Sequence, residues 1–211
     1  MIIDTSYFQS KEVFIPNAIA QPSIGSNTPT SIIQLQQEID QREYDMLLLF
    51  LGQEQTVELF DQFEADGSWK TTALEKWKNL VDGVDDWRGL RYTIGTKKMS
   101  IIAFYTFFYY LKSDFSTYST TGVNVAKSEN ALSQLPNEKQ VSSWNTFVTM
   151  AQGENFTSKN YNFSSNWNGV MLRWTGNNGN TVSLYDFMTK NSDVYDTSFF
   201  IRQSIINPYN L

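Results

Sequence analysis

The sequence predicts a mainly α protein, with an extended arm before the helices and an extension containing loop or β-hairpin after them. Three observations carry this prediction. Apolar residues recur at helical spacing through most of the stretch from 31 to 153, and glycines close the runs. Before it, residues 1–30 are punctuated by Pro16, Pro22, Pro29 and Gly25. After it, from Glu154, the composition turns to Asn, Ser, Phe, Trp and Gly. The chain therefore divides into an N-terminal arm (1–30), a helical core (31–153) and a C-terminal extension (154–211).

The arm reads as extended because proline fixes φ and interrupts regular pairing, and "PSIGSNTPT" is rich in turn formers. Within it, "VFIPNAIA" reads as a short apolar strand or strap. The first helix starts near Thr30 or Ser31, with Gln34 at capping-box spacing from Ser31. Ile32, Leu35, Ile39, Met46, Leu49 and Phe50 form its apolar side, with a break around Tyr44–Asp45, and Gly52 is its stop. "TVELFDQFEADGSW" gives a short second helix through Val57, Leu59, Phe60 and Phe63. "TTALEKWKNLVDG" gives a third, with Leu74, Trp77, Leu80 and Val81 on its apolar face and Gly83 at its end. "VDDWRGLRYTIG" is expected to be a loop or bent connection.

An aromatic helix is expected from about Thr96 to Ser113. Its apolar residues surround the axis, so it must be buried on most sides, either wrapped by the other helices or completed by another subunit. A long polar, glycine-bearing arm follows, around Tyr118 and Gly122. "NEKQVSSWNTFVTMAQG" is a further helix lined by Val141, Trp144, Phe147, Val148 and Ala151 and stopped by Gly153. Beyond it, "GVMLRWTGNNGNTVSLYDFM" reads as a hairpin around "TGNNGN", because Gly and Asn tolerate the positive φ of such turns. "SLYDFM" reads alternatively as a short helix capped by Ser183.

Composition excludes much chemistry. The chain has 211 residues, a net charge of -6 and a hydrophobic fraction of 41%, enough apolar residues for a folded core. An acidic chain is a poor phosphate binder, which argues against sequence-reading of nucleic acid. There is no Cys and no His. That removes disulfides, thiolate nucleophiles, imidazole proton transfer and the common zinc sites. No catalytic role, cofactor or metal is expected. "MIIDTSYFQSKEVF" lacks the basic start of a signal peptide. The longest apolar run, Met99–Leu111, is about 13 residues against the ~20 of a membrane span. A soluble protein in a reducing, intracellular setting is the expectation.

Asp85 and Asp86 are the closest acidic pair, and two carboxylates can hold a metal or share a proton. No glycine-spaced calcium loop surrounds them, so a solvated turn or helix cap is the simpler reading. "TGNNGN" lacks the Lys and Ser/Thr of a phosphate loop. Arg88, Arg91, Lys97 and Lys98 make one locally basic stretch in an acidic chain, suited to an acidic partner patch, to a phosphate backbone or to simple solubility. Trp167 and Trp174, beside Asn and Gly, suit either sugar stacking or interface anchoring, since Trp and Tyr are enriched at buried contacts.

The order of elements resembles the head–tail connector (adaptor, or ring) proteins of tailed bacteriophages, particularly those of phages of Bacteroidetes, including crAss-like phages. The resemblance covers roughly residues 31–150. It rests on "IDQREYDMLLLFLGQEQTVELFDQF" (Ile39–Phe63) with Leu51-Gly52, and on "KWKNLVDG" (Lys76–Gly83). It continues in "SIIAFYTFFYYLKSDFSTYSTTGVNVAKSEN", with Tyr109, Leu111, Thr121-Gly122-Val123 and Glu129-Asn130, and in "EKQVSSWNTFV", with Trp144-Asn145. "SLYDFM" and "INPYNL" are similar to the ends of such proteins. Residues 1–30 and 154–182 depart from the pattern.

The resemblance implies a small helical bundle that assembles as a ring of about twelve copies, made in the host cytoplasm and placed in the virion neck. The ring would lie between portal and tail and meet further neck or tail proteins, and DNA would pass through its lumen without sequence-specific binding. It implies no catalysis and no membrane. The expected interface residues are Arg88, Arg91, Tyr109, Tyr118, Gly122, Trp167 and Trp174. A carbohydrate-binding or adhesion accessory protein using the C-terminal Trp residues is the competing reading. A carboxylate enzyme built on Asp85 and Asp86 is a third.

Overall fold

The structure is a computed structural model of the chain and describes residues 1–16, 18, 30–114, 117–119, 122–124, 137–153 and 182–206. It is mainly α. Helix α1 (Thr30–Phe60) is interrupted at Gly52, and α2 (Glu75–Asp82) follows. A hairpin of β1 (Arg91–Ile94) and β2 (Lys97–Ser100) leads directly into α3 (Ile101–Asp114). A second hairpin, β3 (Thr117–Ser119) and β4 (Gly122–Asn124), comes next, then α4 (Asn137–Gln152) and α5 (Leu184–Lys190).

Helix α3 is the centre of the core. Ile101 to Phe107 are seven consecutive buried residues, so every face of its first two turns is covered by this chain itself. Helices α1 and α4 provide much of that cover. The rings of Tyr105 and Phe50 both meet Phe147 of α4, at 4.9 and 5.8 Å. Ser143 Oγ donates to the Phe104 carbonyl at 2.7 Å, which sets the approach of α4 to α3.

Glycine ends the helices where expected. Gly52 (φ 71°, ψ 175°), Gly83 (φ 90°) and Gly153 (φ 77°) hold backbone conformations that side chains disfavour. The short helix of "SLYDFM" is α5. Ser183 caps it with a reciprocal capping box to Asp186. The hairpin expected around "TGNNGN" lies outside the described residues.

Five expectations are corrected. Helix α1 runs unbroken through Tyr44–Asp45, and its interruption is at Gly52. The aromatic helix starts at Ile101 rather than near Thr96, because Lys97–Ser100 pair with Arg91–Ile94. The "bent connection" is thus partly a hairpin, closed by Gly95-Thr96 with positive φ at Gly95, as a two-residue II′ turn requires. Leu74 is an exposed N-cap of α2 and not part of its buried face, which is Trp77, Leu80 and Val81. The first half of the arm is not extended. Thr5–Gln9 and Lys11–Val13 form 3-10 turns, and Ile2, Ile3, Tyr7, Phe8, Val13 and Ile15 are buried in the common core. Burial of these six apolar side chains outweighs the extended bias of the prolines, which begin only at Pro16.

Candidate interaction surfaces

The basic stretch is largely engaged within the chain. Arg91 donates to Asp82 Oδ1 at 2.7 Å and to the Ile2 carbonyl at 2.8 Å, and lies over the Trp69 ring. It fastens the N-terminal segment to the end of α2. Lys98 reaches Ser6 Oγ at 2.6 Å and Asp4 at 3.8 Å. Arg88 is half-buried, with its guanidinium 5.7 Å from the Tyr92 ring centre. The fourth cation, Lys97, is exposed on β2.

The N-terminal segment has a second fastening. Glu43, on α1, is buried, and its two oxygens accept the Ile2 N–H at 2.8 and 2.9 Å. The Ile3 N–H adds a bond of 3.2 Å. Burial pushes the Glu43 carboxyl up to about 7, against the pull of the Met1 α-amino group and the two amides. The sequence held a sign of this residue. Leu35, Ile39, Glu43, Met46 and Phe50 share one helical face, and the acid interrupts an apolar stripe.

Tyr109 lies at the half-buried end of α3. The Arg42 guanidinium stands 4.4 Å over its ring and is itself paired with Glu38 and Asp45, at 2.7 and 3.1 Å. Tyr118 and Gly122 fall on the β3–β4 hairpin, where Tyr118 pairs with Val123 and Ser119 with Gly122. The polar arm therefore contains a two-stranded hairpin. Trp167 and Trp174 lie outside the described residues.

Asp85 and Asp86 occupy a tight turn. Val84 and Trp87 exchange both backbone hydrogen bonds across it, at 2.8 and 2.9 Å, and Asp85 has φ 52°. A short polar side chain tolerates that conformation better than most. Among the described residues no group of three or more Asp or Glu side chains could hold a metal ion. No helix among them is long and apolar enough to cross a membrane.

One set of polar residues escaped the sequence reading. Three side-chain amides each take both the N–H and the C=O of one residue in the C-terminal segment. Gln55 holds Asp196 at 2.9 and 3.1 Å. Gln152 holds Gln203 at 2.7 and 3.0 Å. Asn145 holds Ile206 at 3.0 and 2.8 Å. Trp144 Nε1 donates to the Ser204 carbonyl at 2.8 Å. The break at Gly52 adds a further grip: Leu49 C=O accepts the Ile201 N–H at 2.8 Å. The only local signal was Asn145 and Gln152 seven residues apart on one helix, which does not say what they hold.

Comparison with protein-family models, with curated proteins and with solved structures finds no match.

Proposed function

We propose that this chain is a structural component of a tailed-phage neck, a small helical bundle that forms a ring between portal and tail. The observation that carries the reading is the stretch from Met99 to Asn130, in which the buried helix α3 passes at once into a polar arm with the β3–β4 hairpin. In the ring, the arm around Tyr118 and Gly122 meets the adjoining subunit, and Tyr109 at the end of α3 borders that contact. The order of elements from Ile39 to Val148 supports the same reading through its resemblance to connector proteins. Arg91 contributes from within, by holding the N-terminal segment, rather than as a free cation.

The charge fits a conduit. Many copies of a chain with net charge -6 give an electronegative lumen in which DNA slides without sticking. The internal pairing of Arg91 and Lys98 lowers the basic character of the one cationic stretch.

Mass photometry of the purified chain, alone and with its cognate portal, tests this, supported by negative-stain images. A closed ring, free or seated on the portal, is expected. A strict monomer that ignores the portal would refute the proposal and turn attention to glycan binding through Trp174, tested with a Trp174→Ala control.

A further inference from the structure

The β1–β2 hairpin ends in the open. Thr93 to Lys98 are all exposed. Apart from its chain neighbours, no atom among the described residues comes within 4 Å of the point where a Cβ would sit on Gly95. Ile94 and Lys97 are partners in the register, so their side chains stand on one face of the hairpin, about 5 Å apart at Cβ. Ile94 is 38% exposed, an apolar side chain beside a cation. Lys98 belongs to the other face and is spent on Ser6 and Asp4 within the chain. Lys97 forms no ion pair among the described residues.

The second half of α1 presents the complement. Glu54, Val57 and Asp61 recur at i, i+3 and i+7 and share one outward face. The Asp61 N–H donates to the Val57 carbonyl at 3.0 Å, which carries the helical turn to the last of the three. Val57 is 44% exposed and has an exposed acid on either side. Residues three or four apart on a helix stand about 5–6 Å apart at Cβ, close to the spacing of Ile94 and Lys97. No Lys or Arg lies between Glu54 and Asp66. Glu58, beside this face, is paired with Lys76 at 2.7 Å, whereas Glu54 and Asp61 form no ion pair among the described residues. One face is apolar beside a cation and the other is apolar between two anions, and neither charge is matched within its own copy.

We infer that the β1–β2 hairpin of one copy docks on α1 of the next, with Ile94 against Val57 and Lys97 against Glu54 or Asp61. The inference rests on the ring reading and names the contact between its subunits. The occupant is a second copy because both complementary faces belong to this chain. Two different patches that fit each other make a head-to-tail contact, and such contacts form rings when the rotation closes. With an acid on each side of Val57, Lys97 meets an anion from either direction, so charge steers the approach and the apolar pair sets its register. In a chain of net charge -6, an unmatched cation is also what lets like-charged copies approach.

Charge reversal tests this, because each reversed chain repels itself and fits the other. Lys97→Glu sets like charges across the contact, and so does Glu54→Lys combined with Asp61→Lys. Each protein alone, its fold checked by thermal unfolding, should need about tenfold more protein than the wild type to form the ring on the portal, read by mass photometry. Mixed in equal amounts, the two should recover wild-type assembly as a ring of alternating copies. The chain carrying all three changes should recover it too.

Reversed chains that assemble as the wild type does would overturn the contact and keep the ring. Folded reversed chains that assemble poorly, and that neither mixing nor the triple change rescues, would also overturn it, with the portal or another protein as the partner of these side chains. A wild type that stays monomeric with and without the portal would remove the ring and the contact together.

Discussion

Replacing Glu43 by Gln probes how a buried carboxyl fastens the N-terminal segment to α1. Glu43 is 1% exposed and meets the Ile2 and Ile3 amides on its two oxygens. Burial raises its pKa from 4.5 to about 7; the Met1 α-amino group 4.0 Å away and the amides oppose the rise, and Asp40 adds to it. A carboxyl with a higher pKa folded than unfolded binds its proton more tightly in the folded chain. Its contribution to stability is therefore greatest in acid and is lost as pH climbs from 4.5 through 7. At 1.36 kcal/mol per unit the whole window is worth about 3 kcal/mol, most of which falls between pH 5 and pH 8.

Gln does not titrate. Urea unfolding of both proteins at the two pH values cancels the ionisable groups that do not interact with Glu43, and leaves in the difference Glu43 together with the Met1 α-amino group and Asp40 coupled to it. The wild type should lose roughly 2–3 kcal/mol more than E43Q on going from pH 5 to pH 8. Equal losses, or a wild type that gains stability, would refute the reasoning. The amides and α-amino group would then outweigh desolvation, and the ionised form would be the favoured one inside.

Two further predictions concern backbone punctuation. Gly52→Ala places a side chain at φ 71° and ψ 175°, with its Cβ 2.7 Å from Phe199 Cγ, and should cost about 2–3 kcal/mol in thermal or urea unfolding. Adding Phe199→Ala should relieve only the steric part, because Phe199 is 53% exposed and can yield, while the dihedral strain stays. Ser183→Ala removes the acceptor for the Asp186 N–H and should cost about 1 kcal/mol, read as faster amide exchange confined to α5, with Ser183→Thr restoring most of the protection.

Much of the helical core was legible in the sequence, for reasons local to it. Gly52, Gly83 and Gly153 end helices because only glycine takes their φ cheaply, and Ser183 with Asp186 announces a cap. The crowded apolar run after Met99 could be read as a buried helix because no face of it was left for water. The hairpin before that helix was missed. Its strands are only four residues each, and its outer positions are polar, so neither period was readable.

By itself, then, the sequence determined roughly where most of the α-helices run and stop, that a large apolar core exists, and that imidazole and thiol chemistry are absent. Tertiary structure decided what the polar residues do. Glu43 meets Ile2 across 41 positions, Arg91 meets Ile2 across 89, and Asn145 meets Ile206 across 61. Caps and glycine stops act within one turn and leave a local pattern. A buried carboxylate or a side-chain amide finds its partner wherever packing brings a free peptide group, and no spacing along the chain records that meeting.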